Sequence, residues 1–279
     1  CLLSRGLGDV YKRQQKVSVI MNCLNSTQYL REAIDSVYAQ TYSNWEIIIW
    51  DNNSTEDVRG FLLGYDNRLR YYKDHVTVSL GEARNRAMSK GKGKLIAFLD
   101  CDDIWMPNKL GLCIPHFSDL SVGVVYSNWI LFNNNGYEKV KYDDLMAPEG
   151  WVFEQILFNN FTCLSTLIFR ADIIYNDQIQ FDPQFTFLED TDFLIMVSRK
   201  WKFIYEHTPL TSYRMHSESA TATKVEGFRR EMDILIDKFS ALIPVVKEKY
   251  EAQLRLMNRR DEAMDNWRKG DTKKARSLI

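Results

Sequence analysis

Two short runs of unbroken apolar residues, Ile47–Trp50 and Leu95–Leu99, each stop on an aspartate, Asp51 and Asp100. A strand that is apolar at every position must be covered on both faces, as in a parallel sheet flanked by helices. Neither run approaches the roughly 20 apolar residues that a membrane-spanning helix needs. Around them the pattern alternates. Val17–Met21 is a β-rich run, and Thr27–Gln40 reads as an amphipathic helix with Leu30, Ile34 and Val37 on one face and Ser26 or Thr27 as N-cap. Leu69–Tyr72 is a short strand, Glu82–Lys90 a helix ended by the glycines at 91 and 93, and a further helix opens at Pro107. The predicted fold class is therefore α/β: a doubly wound, mostly parallel, Rossmann-like sheet with helices on both faces.

Further along, Val122–Phe132, Leu164–Phe169 and Phe203–Tyr205 read as strands, and Trp151–Phe158 and Glu189–Lys200 as helices. From Lys224 the composition changes to a helical tail with an apolar stripe (Phe228, Met232, Leu235, Ile236, Phe239) interrupted at Pro244. The expected organisation is one α/β domain over 15–223 and a helical C-terminal extension over 224–279, with the C-terminus read as truncated. Residues 1–14 are set aside, because Asp9–Gln14 reads as translated sequencing adapter, an assembly scar.

Thirty-six basic residues against 37 acidic ones give a net charge of −1, which excludes a general nucleic-acid binder. The five cysteines (Cys1, Cys23, Cys101, Cys113, Cys163) have no C-x-x-C spacing, so reduced thiols in a cytoplasmic protein are expected rather than a disulfide framework or a zinc site. The basic residues of the tail allow a peripheral contact with the inner face of a membrane.

The chemistry gathers at strand ends. Asn22, Asp51 and Asp100 each follow a predicted strand, and open parallel sheets bind ligands beyond the carboxyl ends of their strands. A single aspartate there is as readily a turn former. Asp100-Cys101-Asp102-Asp103 is less easily a turn alone, because three carboxylates within four residues repel unless a cation or donors neutralise them. Mg²⁺ or Mn²⁺ prefers such hard oxygen ligands and shares its shell with substrate phosphates.

With these motifs in order, the chain from Val17 to about Ser219 resembles the family 2 glycosyltransferases. Val17–Asn25 matches the family's opening strand, Tyr29–Val37 its first helix, Asp51–Ser54 its Asp-Asp-Gly-Ser element and Ala83–Asn85 its Ala-Arg-Asn. Asp100–Asp103 matches its metal motif, Glu189–Phe193 its acidic helix start and Tyr213–His216 its late Arg-x-His. The chain departs from the family at Asn22-Cys-Leu-Asn25, usually Pro-Thr-Tyr-Asn, and at Asn52-Asn53, usually Asp-Gly.

The resemblance implies a GT-A fold and metal-dependent, inverting transfer of a sugar from a nucleotide-diphosphate donor. A UDP-sugar is the expected donor, and a glycan or lipid-linked acceptor of surface polysaccharide synthesis the expected partner. It implies that Asp51 meets the base, with Asn22 at the same nucleotide site and Arg84 beside the base or diphosphate. Asp102 would hold the ribose or the metal, Asp103 the metal, with Asp100 the alternative ligand and His216 a metal or diphosphate contact. Asp190 is the candidate base, and Glu189 and Asp192 are helix-dipole partners. One rival, a sugar-nucleotide pyrophosphorylase, would carry a glycine-rich phosphate loop after the first strand, which Asn22–Gln28 lacks. The other, a non-catalytic nucleotide-sugar-binding module, would not need Asp190 and Asp103.

Overall fold

The computed structural model describes residues 15–143, 146–216 and 225–278. The adapter-like segment and the boundary expected near 223 lie outside the described residues. One sheet runs through the molecule in the order β3-β2-β1-β4-β8-β6-β9-β5, with β7 paired to β6. Its strands are β1 (Val17–Cys23), β2 (Trp45–Asp51), β3 (Leu69–Lys73), β4 (Leu95–Phe98), β5 (Ile104–Trp105), β6 (Val122–Phe132), β7 (Glu138–Val140), β8 (Leu167–Arg170) and β9 (Lys202–Arg214). The first four are parallel neighbours. β8 then runs antiparallel to both β4 and β6, while β6 and β9 are parallel. The parallel character read from the apolar runs thus belongs to the N-terminal half, and the sheet as a whole is mixed.

The unbroken apolar strands are buried on both faces. Ile48 and Phe98 belong to one core, and Ile47, Ile49 and Ala97 to the other. Helix α1 (Leu30–Tyr38) buries Leu30, Ile34 and Val37 in the second. Its N-cap is Tyr29 rather than Ser26 or Thr27, because Thr27 donates instead to Glu56 through both its hydroxyl (2.6 Å) and its backbone N–H (3.1 Å). Helix α2 (Leu80–Met88) is capped by the Ser79 hydroxyl, which accepts from Glu82 N–H at 3.3 Å.

The last strand is far longer than the three residues read from sequence. The polar stretch Glu206-His207-Thr208-Pro209 hid it, and the structure absorbs that stretch in register shifts against β6 between Ser127 and Trp129. Its far end carries Tyr213 and Arg214 to the sheet edge where β1 and β4 also finish.

Further helices include α3 (Phe153–Phe158), α4 (Glu189–Ser198), α5 (Val225–Leu242), α6 (Glu251–Arg268) and α7 (Thr272–Leu278). The stripe of α5 is no detached appendage, since Leu235, Ile236 and Phe239 join the same core as Phe193 of α4. Three contacts lock α5 to the approach of α4. The Glu231 carboxylate accepts the backbone N–H groups of Thr186 (2.7 Å), Phe187 (2.8 Å) and Leu188 (2.9 Å). Lys238 donates to Asp192 (2.6 Å) and Asp182 (2.8 Å). Gly227 lets the Phe187 ring lie on the helix, because a Cβ there would meet the ring.

Candidate active site

The ends of β1, β2 and β4, the start of α4 and the end of β9 surround a cleft of about 950 Å³. Asn22, Arg84, Asp100, Asp102, Asp190 and His216 all line it. They come from segments up to 194 positions apart (216 − 22), so the fold and not local sequence assembles them.

Arg84, on α2, is the central cation. It is buried, forms an ion pair with Glu189 and lies over the Phe181 ring at 5.4 Å. Its charge also reaches Asp100 and Asp190. Around it the carboxyls titrate high. Burial pushes Asp100 up to about 6, with Asp102 and Asp190 adding to the rise and Arg84 opposing it. Burial likewise raises Glu189 to about 7 against the pull of Arg84, and raises Asp190 above the usual carboxylate range.

Glu189 was expected as a helix-dipole partner; it sits in the first turn of α4, but its partner is the Arg84 guanidinium. Asp192 is likewise held by Lys238 rather than by the helix end alone. The raised Glu189 value carries a sign. Folded chains bind more protons than unfolded ones between about pH 4.5 and 7, so this group stabilises the protein below that window and the contribution is lost as pH rises through it. Glu189→Gln should therefore lose less stability than the wild type between pH 4.5 and 7.5, as read from urea midpoints. Parallel curves for the two proteins would refute the assignment.

Asp190 receives the Thr191 backbone N–H (2.6 Å) and hydroxyl (3.2 Å) on Oδ1, and the Asn160 amide (3.4 Å) on Oδ2. Asn160 is tied in turn to the Thr191 hydroxyl at 3.1 Å. Asp102 pairs with His216, Oδ2 to Nε2 at 2.9 Å, and both side chains keep part of their surface open to the cleft. The Asn22 amide nitrogen, also on the wall, is buried with no hydrogen-bond partner among the described residues.

Two of the expected site residues lie off the cleft wall. Asp103, expected to hold a metal, is 1% exposed and absent from the cleft wall. Its Oδ1 accepts the Arg214 backbone N–H at 3.0 Å, and burial holds the carboxyl well above the usual range. After the Asp100–Asp103 turn the chain enters β5, and this turns the last of the three aspartates inward. Asp51, expected at the base, is fully buried and also absent from the wall. Its carboxylate accepts from Ser54 N–H (2.7 Å) and Tyr71 hydroxyl (2.7 Å), with Lys73 at 3.4 Å. Burial alone would raise it, but Ser54, Tyr71 and Lys73 together hold it below the usual range. Asp51 thus ties the turn at Ser54 to strand β3.

The neighbouring Asn52, one of the departures from the family pattern, lines the cleft. It clasps Val78 through both ends of its amide, at 2.9 and 3.0 Å, and so fixes the 78–80 segment of the wall. Arg214 lies in the Tyr213–His216 motif. Its Nε donates to the Asp102 carbonyl (2.9 Å), its Nη1 to Asn134 (3.0 Å) and its Nη2 to Glu32 (2.7 Å), and its guanidinium stacks 4.0 Å from the centre of the Tyr29 ring. It therefore fixes the Asp102–Asp103 turn from outside. Ser165 does the same from within, accepting Asp100 N–H at 3.1 Å.

Among the described residues no group of three or more His, Cys, Asp and Glu side chains is placed to hold a metal. Nor, among them, is any helix long and apolar enough to cross a membrane.

Residues 18–215 match the model of the family described as Glycosyl transferase family 2. The chain is 28% identical over 233 residues to WfgD of Escherichia coli, named as a UDP-Glc:alpha-D-GlcNAc-diphosphoundecaprenol beta-1,3-glucosyltransferase, covering 79% of this chain and 85% of that one. It is 27% identical over 218 residues to TuaG of Bacillus subtilis, a putative teichuronic acid biosynthesis glycosyltransferase, covering 77% and 84%. Among solved structures, S. aureus TarS 1–349 in complex with UDP-GlcNAc superposes with a TM-score of 0.65 at 19% identity, over 87% of this chain and 70% of that one. The mannosyltransferase PcManGT from Pyrobaculum calidifontis, in complex with GDP-Man and Mn²⁺, gives 0.62 at 16% identity, over 99% and 81%. The shared fold is GT-A.

Proposed function

The chain belongs to glycosyl transferase family 2, and from that premise we propose that it moves a sugar from a UDP-sugar, with inversion at the anomeric carbon, to a glycan or lipid-linked acceptor of surface polysaccharide synthesis. The observation that carries this reading is the single cleft in which Asp190 stands beside the Arg84, Asp100 and Asp102 group. The UDP-glucose and diphosphoundecaprenol-linked acceptor in the name of the Escherichia coli relative support the choice of substrates.

In an inverting transfer the acceptor oxygen attacks the anomeric carbon while the bond to the diphosphate breaks on the opposite side. Asp190 takes the proton of the attacking hydroxyl, and Asn160 and Thr191 fix which oxygen faces it. Arg84 holds Glu189 and lends positive charge to the nucleotide end. Asn22, whose amide nitrogen has no partner among the described residues, and Asp100 meet the nucleotide.

The Asp102–His216 pair fits Mn²⁺ or Mg²⁺ as half a site, one carboxylate and one imidazole on an open wall, the remaining ligands being donor phosphate oxygens. Asp102 and His216 would hold such an ion, and its charge would stabilise the departing diphosphate.

Thermal melting tests this reading. UDP at about 100 times its Kd should raise Tm by about 5 °C for a chain of this size, and Mn²⁺ should enlarge the shift. Asp102→Ala should abolish the metal-dependent part. A UDP shift indifferent to metal in the wild type would remove the metal from the proposal, and no UDP shift at all would remove the uridine donor.

A further inference from the structure

The cleft has two ends of different chemistry. Segments between Asn22 and Asp102 build the polar nucleotide end. The rest of the wall includes Phe158 of α3, Phe187, and Phe228 and Met232 of α5, with Asp261 of α6 also present. These four apolar side chains are half-buried. Phe187 and Phe228 pack together with ring centres 5.1 Å apart, and Phe187 is seated by Gly227 below it and by Glu231, which binds its backbone N–H. The shelf is thus held in place and continuous with the reacting centre.

Polar groups for a sugar stand close to Asp190, where Asn159, Asn160 and Thr191 line the cleft. Phe158, Phe187, Phe228 and Met232 offer hydrocarbon and ring carbon in place of hydrogen bonds. A pyranose could lay its C–H face on one ring, but its rim hydroxyls would find no partners among these four side chains. Resting on the glycosyl-acceptor reading above, we propose that this shelf is a subsite for the hydrocarbon chain of a lipid-linked acceptor, whose sugar then reaches Asp190.

The test uses the full chain with UDP present and two probes, decyl phosphate below its micelle concentration and methyl phosphate, with binding read by calorimetry. Decyl phosphate should bind the wild type at least tenfold more tightly than methyl phosphate. Phe228→Ser/Met232→Ser should lose at least tenfold in decyl phosphate affinity, and Met232→Ser alone severalfold. Melting and UDP binding report whether each variant is folded, and if the double variant is not, the single one decides. Equal binding of the two probes by the wild type overturns the proposal. So does a folded variant that keeps the chain preference, or one that weakens a free disaccharide as much as decyl phosphate, which would mark a sugar-stacking face. Chain binding without transfer to any acceptor would leave the subsite standing and overturn the proposed function instead.

Discussion

Asp190→Asn should lower the rate of sugar transfer by about 10²–10⁴-fold, the usual contribution of a positioned base, while donor KM and melting temperature stay near wild type. The side chain keeps its shape, and its remaining oxygen can still accept the Thr191 N–H that Oδ1 accepts at 2.6 Å. What it loses is the capacity to take a proton. The wild type should also lose activity as pH falls through the pKa of Asp190. Burial raises that pKa, so the acid limb should lie above the ordinary carboxylate range. Initial rates across pH 4–8 measure both effects, and a variant that transfers sugar at the wild-type rate would remove Asp190 from the chemistry.

Glu231→Ala should be the most damaging single change outside the cleft chemistry. It strips acceptors from three consecutive backbone N–H groups just ahead of α4, a helix whose N-cap, Leu188, has no side-chain cap of its own. Bonds of this kind to a charged group contribute about 1.5–3 kcal/mol each. Thr186 is exposed and can recover water, whereas Leu188 is buried and cannot. A net loss of about 3 kcal/mol or more is expected, a large share of the total stability of a typical domain. Glu231→Gln, with one acceptor oxygen left, should lose less. Urea unfolding measures the difference, and equal midpoints for Glu231→Ala and wild type would show that water replaces the carboxylate without cost.

Much of this architecture is legible in the sequence. The parallel half of the sheet follows from Ile47–Trp50 and Leu95–Leu99, since burial on both faces leaves an unbroken apolar signature. Of the six residues that meet in the cleft, Asn22, Asp100 and Asp102 follow strand ends and Asp190 opens a helix, while Arg84 and His216 were recognisable only from the order of motifs. The division of labour among the aspartates was not legible. Asp102 and Asp103 are adjacent and chemically identical, and only the direction of the chain into β5 decides which faces the cleft and which faces the Arg214 backbone. The partners of Asp51 were hidden for a similar reason, since Tyr71 and Lys73, which engage its carboxylate, come from β3 and are invisible to a local reading. Glu231 left no mark because a buried acid beside an apolar stripe looks like any solvated helix residue until its partners 43 to 45 positions away are known.

The lining of the cleft comes from two separate stretches of chain, 22–102 and 156–261. Recombination at one crossover between them would part Asp102 from His216 and Arg84 from Glu189, so each half must meet a matching partner in the other. Such a graft succeeds only if α5 travels with α4, since Glu231 and Lys238 must arrive with the backbone and carboxylates they hold. The portable unit therefore runs past residue 215, where the family match ends, and a chimera cut at that point would separate α4 from its clamp.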